Sequence, residues 1–172
     1  MKPGYFVKLV IAVILVLGIV ILPACTPTQS NSMIGNPGPF FQLKGSDGSY
    51  LSSQSLSGKT ILINFWSTTC PPCVEEMPYF QKLQDSWSRR NDAMLVMIDL
   101  NDDLPTAQNF IQKNQYTFQF FLDSGYITAQ IFDIRFTPTS VLIDRQGIVR
   151  LYKVGEFANF ADIEKQIAPF LK

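Results

Sequence analysis

Two cysteines, Cys70 and Cys73, stand three positions apart and are the residues of this sequence best suited to covalent chemistry. The segment 60–66 before them is continuously apolar and rich in β-branched residues, which predicts a strand buried on both faces. Pro71 suits the first turn of a helix, and apolar residues then recur at helical spacing to about residue 87. Cys70 is therefore expected at the N-terminus of a helix, where the helix dipole stabilises a thiolate.

A Cys-x-x-Cys pair serves either zinc binding or cycling between a dithiol and a disulfide. A structural zinc site needs four ligands, but the sequence has no histidine, and its one other cysteine, Cys25, lies far from the pair. A structural disulfide that closes so short a loop would restrict the unfolded chain very little. The pattern therefore favours a redox pair, and neither a metal nor a cofactor is expected.

The N-terminal segment 1–25 has the pattern of an export signal. Lys2 and Lys8 precede an unbroken apolar run of 14 residues at 9–22, and small residues lead from there to Cys25. The run is shorter than the ~20 residues that span a bilayer. The end of the segment resembles a bacterial lipobox, in which the cysteine is lipidated and becomes the mature N-terminus. An uncleaved signal anchor is the alternative, and either one predicts a domain tethered to the membrane outside the cytoplasm.

Composition divides the rest of the chain into a tether and one domain. Residues 26–38 are rich in Thr, Ser, Asn, Gln, Pro and Gly, which predicts a flexible tether. Residues 39–172 are enough for one globular domain with a full core. Removal of 1–25 takes two of the 14 basic residues and none of the 14 acidic ones, which leaves a net charge of −2. No nucleic-acid partner is expected at that charge balance.

Apolar patterns after residue 39 predict strands that alternate with helices, followed by a hairpin and a terminal helix. We expect an N-terminal hairpin at 40–51, strands at 60–66, 93–98, 118–122, 139–143 and 148–154, and helices at 71–87, 101–114, 127–132 and 158–170. This order predicts an α/β fold, with a central mixed sheet flanked by helices on both faces. Pro78 lies inside the first helix and is expected to kink it.

Four separate segments between about 39 and 155 resemble the thioredoxin-like proteins of the TlpA/ResA/CcmG type. They are the N-terminal hairpin with Asp47-Gly48, then Leu56-Ser57-Gly58-Lys59, then Asn64-Phe65-Trp66 followed by Cys70-Pro71-Pro72-Cys73 and Glu75-Glu76-Met77-Pro78, and finally Thr137-Pro138-Thr139 before Asp144 and Gly147. The resemblance implies a thioredoxin-like fold with an N-terminal β-hairpin and a strand–helix insertion within roughly 110–132. It also implies a thiol–disulfide oxidoreductase outside the cytoplasm.

The resemblance and the residue types together suggest a role for each part of the site. Cys70 is the expected nucleophile, and the more buried Cys73 resolves the mixed disulfide that Cys70 forms. Glu76 shares a helix face with Cys73 and is expected to accept its proton. Thr137 and a cis-Pro138 should lie beside the cysteines, where the Thr137 backbone can pair with an extended substrate segment. The other residues expected to contact the substrate are Thr69, Pro71 and Pro72.

Other residues near the motif have structural interpretations. Asn64 is expected to be a buried polar residue satisfied by the backbone, and Glu75 to face solvent. Phe65, Trp66 and Phe136 could line the site, although aromatic residues beside a buried strand are more often part of the core. Thr69 stands where the family usually has Trp, which removes a flat aromatic contact surface.

The resemblance implies disulfide-containing envelope proteins as substrates, with apocytochrome c as one example, and a membrane thiol–disulfide protein as electron donor. The motif does not set the direction of the reaction. Three alternatives stay open: a thiol peroxidase with antioxidant activity, which would use one cysteine with a nearby Thr; a copper-binding module; and a binding module that kept the fold without turnover.

Overall fold

A seven-stranded mixed sheet forms the centre of the computed structural model, which describes residues 33–171. The strands are β1 (Gln42–Gly45), β2 (Tyr50–Ser52), β3 (Thr60–Trp66), β4 (Ala93–Asp99), β5 (Phe120–Leu122), β6 (Thr139–Ile143) and β7 (Val149–Val154). The helices are α1 (Pro71–Trp87), α2 (Leu104–Lys113), α3 (Ile127–Ile131) and α4 (Phe160–Ile167), with 3₁₀ turns at Ser53–Leu56 and Ala168–Phe170. The predicted export signal and Cys25 lie outside the described residues. Within 33–171, no helix is both long and apolar enough to cross a membrane.

The strand order is β2-β1-β5-β4-β3-β6-β7. β3 is parallel to β4, and β4 is parallel to β5. The other pairs are antiparallel: β3 with β6, β6 with β7, β1 with β2, and β1 with β5. The hairpin joins the sheet through β5, so the predicted N-terminal hairpin and the predicted strand–helix insertion are both present and paired with each other. The last residues of β3, β4 and β5 and the first residues of β6 lie along one edge of the sheet, here called the carboxyl edge.

Two buried cores lie on opposite faces of the sheet. Trp66 and Phe80 belong to the core that α1, α2 and α4 cover. Phe65, Phe41 and Phe132 belong to the core beneath α3 and the first 3₁₀ turn. Every residue of β3 is buried, as its continuous apolar run predicts, because successive side chains of the strand enter alternate cores.

Several helix ends differ from the prediction, and local hydrogen bonding explains two of these differences. α2 begins at Leu104 and not at residue 101, since the Asp103 carboxylate accepts the Thr106 N–H at 2.9 Å and caps the helix there. α4 ends at Ile167 and continues as a 3₁₀ turn around Pro169, which has no N–H to continue an α-helix. β5 is likewise shorter than predicted, whereas α1 has the predicted bounds and runs on through its internal proline.

The end of the predicted flexible tether, 26–38, is part of the folded domain. The Gly35 N–H donates to the Val149 carbonyl at 2.8 Å, and the Gly38 N–H donates to the Gly147 carbonyl at 2.8 Å. The prediction was wrong for these positions. Their composition is typical of a linker, but the turn between β6 and β7 offers backbone groups that need partners, and this segment supplies them.

Phe132 ties the insertion to the rest of the core, and its removal should destabilise the whole domain. It is fully buried between Phe41 and Phe65, with ring centroids 5.7 and 5.6 Å away. We expect Phe132→Ala to lower the free energy of unfolding by ~3–5 kcal/mol, because it leaves a cavity between two rings. Urea denaturation measures this loss. Phe136→Ala removes a ring that is 68% exposed and should cost less than ~0.5 kcal/mol. Equal losses for the two variants would contradict this packing.

Candidate active site

Cys70 and Cys73 form a disulfide at the start of α1, with Cα atoms 5.3 Å apart. Cys70 is the residue that precedes the helix, and it is half-buried. Cys73 lies in the first turn and is fully buried among apolar side chains. Solvent therefore reaches the first sulfur-bearing residue and not the second, which is the asymmetry that the sequence predicts.

The N-terminus of α1 offers few backbone donors to a charged Cys70. Pro71 and Pro72 occupy its first two positions and have no N–H. The Val74 N–H donates to the Cys70 carbonyl at 3.1 Å. The start of a helix leaves its first amides unpaired. In this described turn, the Cys73 N–H is the amide that remains free to bind a Cys70 thiolate. A Cys70 thiolate would thus be stabilised by the helix dipole and one amide.

Glu76 is buried beneath the cysteines and titrates near neutrality. Its side chain is 1% exposed, its Oε1 accepts the Asn64 amide at 2.9 Å, and its Oε2 accepts the Phe157 N–H at 3.0 Å. Burial raises the pKa of Glu76 to about 7, although these two hydrogen bonds and the charge of Lys153 act in the opposite direction. Glu76 is therefore not a solvated surface acid, whereas the neighbouring Glu75 is exposed as predicted.

Asn64, Ser140 and Glu76 form a buried polar cluster that joins β3, β6 and α1. The Asn64 Nδ2 donates to Glu76 and also to the Ser140 Oγ at 3.0 Å. The expectation that backbone groups satisfy Asn64 was wrong, because Ser140 is its register partner on β6 and Glu76 lies above it on α1. The Asn64 Oδ1 has no hydrogen-bond partner within the described part of the chain.

The Thr137–Pro138 peptide bond is cis, as the family resemblance implies. Pro138 is buried and Thr137 is half-buried. The next residue, Thr139, pairs with Phe65 near the end of β3. The cis-proline therefore lies at the carboxyl edge, where the chain passes from β3 into residues 67–70, here called the cysteine loop. Thr137 has no backbone hydrogen-bond partner within residues 33–171, so an extended segment from outside can pair with it.

The other predicted contact residues surround the cysteines or belong to the core. Thr69 and Pro71 are exposed and Pro72 is half-buried. Phe65 and Trp66 are fully buried and do not line a surface, whereas Phe136, beside the cis-proline, is 68% exposed.

Four contributors to the site escaped the sequence analysis: Asp99, Asp102, Ser140 and Phe157. Asp99 and Asp102 had a usable signal, because acids that directly follow a buried parallel strand lie at the edge where active sites form. Phe157 acts through its backbone N–H, and no pattern of side chains predicts such a contact. Within 33–171 no group of three or more Cys, Asp or Glu residues is arranged to hold a metal ion.

A central mixed sheet, a disulfide at the start of a helix and a cis-proline at the same edge of the sheet define a thioredoxin-like thiol–disulfide oxidoreductase. The model of the Redoxin family matches residues 33–167, and the chain belongs to this family. Thiol-disulfide oxidoreductase ResA of Halalkalibacterium halodurans is 30% identical over 128 residues, which cover 74% of this chain and 72% of the relative.

Solved structures agree with this assignment. A thiol:disulfide interchange protein of the thioredoxin family from Chlorobium tepidum TLS has a TM-score of 0.71 and 30% identity, and the match covers 79% of this chain and 96% of that one. A putative thiol:disulfide interchange protein DsbE from Chlorobium tepidum has a TM-score of 0.72 and 27% identity, with 81% and 98% covered. The chain is thus an oxidoreductase of the ResA/DsbE type.

The burial of Glu76 should make folding stability depend on pH. The unfolded side chain ionises near 4.5, whereas the folded one keeps its proton to about 7. The folded state therefore loses ~3 kcal/mol relative to the unfolded state as the pH rises through this window, and the loss is complete above the folded pKa. Glu76→Gln cannot lose a proton, so its stability relative to wild type should rise by that amount between pH 4.5 and 8.

Urea denaturation at a series of pH values measures this difference. Glu75→Gln is the matched control, because Glu75 is the exposed neighbour on the same helix. Over the same pH range, Glu76→Gln should differ from wild type far more than this variant does. Parallel pH dependences for wild type and Glu76→Gln would contradict the assigned pKa.

Proposed function

We propose that this oxidoreductase reduces disulfides of proteins outside the cytoplasm by cycling Cys70 and Cys73 between the dithiol and the disulfide. The observation that carries the proposal is the difference in burial between the two cysteines. A half-buried Cys70 can be reached by a substrate disulfide. A fully buried Cys73 one turn along can attack the mixed disulfide on Cys70 and is shielded from other disulfides.

The reaction consists of two exchanges. The Cys70 thiolate attacks one sulfur of the substrate disulfide, so the substrate S–S bond breaks, a mixed disulfide forms and one substrate thiolate leaves. Cys73 then loses its proton and attacks the Cys70 sulfur, which forms the Cys70–Cys73 disulfide and releases the second substrate thiolate. Two electrons pass to the substrate, and an external dithiol must return them. A membrane thiol–disulfide protein is the proposed donor.

Glu76 is the proposed acceptor of the Cys73 proton. It shares a helix face with Cys73, and solvent reaches neither side chain. Its hydrogen bonds to Asn64 and Phe157 orient the carboxylate. A group with a pKa of about 7 is ionised often enough to accept a proton at neutral pH and returns it readily in the reverse step.

The proposed substrate surface consists of the cis-proline turn and the cysteine loop. Thr137 offers a backbone that has no hydrogen-bond partner among residues 33–171, and Phe136 offers an exposed ring beside it. Thr69, Pro71 and Pro72 complete this surface around Cys70. An extended segment of the substrate would pair with Thr137 while its disulfide lies against Cys70. Disulfide-containing envelope proteins, such as apocytochrome c, are the proposed substrates.

The proposed location is the outer face of the cell membrane. The basic and apolar pattern of 1–25 supports export, and the tether would be either a lipid on Cys25 or the uncleaved segment itself. The proposed link from this anchor to the folded domain is 26–32.

Removal of the resolving cysteine should trap the reaction halfway. The reduced Cys73→Ala variant, mixed with an oxidised substrate protein, should accumulate a mixed disulfide on Cys70, because nothing releases the substrate. Non-reducing electrophoresis and mass spectrometry identify the bond and the partner. Cys70→Ala is the matched control and should trap nothing. Absence of a mixed disulfide together with peroxide consumption by Cys73→Ser would indicate a thiol peroxidase instead.

Loss of the proton acceptor should slow the second exchange. Glu76→Gln should reduce the rate of substrate release from the mixed disulfide by ~10²-fold at neutral pH, and the rate should lose its dependence on a group that titrates near 7. Stopped-flow measurement of substrate thiol release at several pH values tests this. Glu75→Gln should behave as wild type. An unchanged pH profile in Glu76→Gln would assign the proton transfer to another group.

A further inference from the structure

The loop that presents Cys70 is held by a carboxylate that the exchange mechanism does not use. Asp102, between β4 and α2, accepts the Thr68 N–H at 2.8 Å with one oxygen and the Thr68 hydroxyl at 2.7 Å with the other. Thr68 stands two residues before Cys70. Both oxygens of one carboxylate thus bind a single residue of the cysteine loop, and bonds to an ionised acceptor are stronger than neutral ones.

Asp102 is itself fixed by the end of β4. Asp99 is fully buried, and its Oδ1 accepts the N–H groups of Asn101 and Asp102 at 3.0 Å each. Asp99 lies in register with Trp66, the last residue of β3, and the Leu100 N–H donates to the Trp66 carbonyl at 3.0 Å. The loops that follow β3 and β4 are therefore joined by backbone as well as by Asp102.

The insertion binds the β4–α2 loop. The Asp123 N–H donates to the Asp99 carbonyl at 2.8 Å, and the Tyr126 hydroxyl donates to the Asn101 side chain. The Asp123 carboxylate also accepts the backbone N–H groups of Thr128 and Ala129 in α3. A continuous chain of hydrogen bonds thus leads from α3 through the β4–α2 loop to Thr68, two residues before Cys70.

We propose that Asp102 is a positioning residue for Cys70, which holds the loop that presents the nucleophile and supplies the negative charge beside it. The inference deepens the proposed exchange reaction and rests on it. Holding the loop keeps the nucleophile in line with a substrate disulfide, and a small displacement at such a centre costs much of the rate.

The charge of Asp102 lies beside the loop that carries the thiol. Consecutive Cα atoms are 3.8 Å apart, so the Cα atoms of Thr68 and Cys70 are at most ~7.6 Å apart, and the carboxylate that binds Thr68 faces the same loop. A negative charge there disfavours the thiolate and opposes the helix dipole. Burial and then the neighbouring Asp102 raise the pKa of Asp99 to about 7, so the two carboxyl groups do not act independently.

Two substitutions separate the two effects. Asp102→Asn keeps both contacts, because an amide oxygen accepts the Thr68 N–H and an amide N–H donates to the Thr68 hydroxyl, but it removes the charge. We expect it to lower the Cys70 thiol pKa by ~0.5 unit and to raise the alkylation rate ~3-fold below that pKa. Asp102→Ala also removes the contacts and should slow attack on a substrate disulfide by ~10-fold or more.

The measurements are the pH dependence of Cys70 alkylation in the reduced protein, the redox equilibrium with glutathione, and the rate of mixed-disulfide formation in the Cys73→Ala background. Asp103→Asn is the matched control, because it removes the adjacent exposed acid, whose carboxylate accepts the Thr106 N–H in α2, and retains a helix cap. Thr68→Val removes the hydroxyl contact and keeps the charge, so it should leave the thiol pKa unchanged while it slows the attack.

An Asp102→Asn variant whose alkylation profile and redox equilibrium match those of Asp103→Asn would overturn the role of the charge. An Asp102→Ala variant that attacks substrate at the wild-type rate would overturn the role of the contacts. The isosteric Asp102→Asn keeps the test decisive if urea denaturation shows that Asp102→Ala is unfolded. A failure of Cys73→Ala alone to trap any substrate would reject the proposed function itself, which is a different result.

Discussion

Pairing of β3 with a parallel strand on one side and an antiparallel strand on the other decides where the functional groups meet. Trp66 lies beside Asp99 at the end of β4, and Phe65 lies beside Thr139 at the start of β6. The cysteine loop, the acidic β4–α2 loop and the cis-proline turn consequently emerge at one edge, although they lie far apart in the sequence. Burial of every β3 residue anchors this arrangement, because a shift of register by one residue would exchange the two cores.

The packing against this sheet also determines the properties of two side chains of the site. α1 packs Cys73 and Glu76 against the sheet, so both lose contact with water. An isolated carboxylate would be too costly in this buried position. The hydrogen bonds from Asn64 and the Phe157 N–H stabilise the Glu76 carboxylate only partly, so the pKa of Glu76 is near neutrality. Hydrophobic packing and the near-neutral pKa of Glu76 are thus two consequences of one helix position.

Most of the fold could be predicted from the sequence, and only part of the site. Strands buried on both faces and a helix that starts with Pro71 leave strong local patterns, so β3, β4, β6 and α1 were found almost to the residue. Contacts between segments that are distant in the sequence could not be predicted. The pairing of Asn64 with Ser140 and the hydrogen bonds between Asp102 and Thr68 depend on which strands become neighbours. Residues 35–38 were misassigned for the same reason, since their partners lie on a distant turn.

The proposed direction of the reaction agrees with the balance of charge around Cys70. A thiolate that is strongly stabilised favours the reduced state and makes its protein an oxidant, whereas weak stabilisation favours the disulfide and makes the dithiol a reductant. Here Pro71 and Pro72 supply no amide at the start of the helix. The Asp102 carboxylate also binds Thr68, two residues before Cys70. Both features reduce the stabilisation that the helix dipole offers. Both features agree with the proposed reduction of substrate disulfides, and both belong to the residues around the cysteines and not to the cysteines themselves.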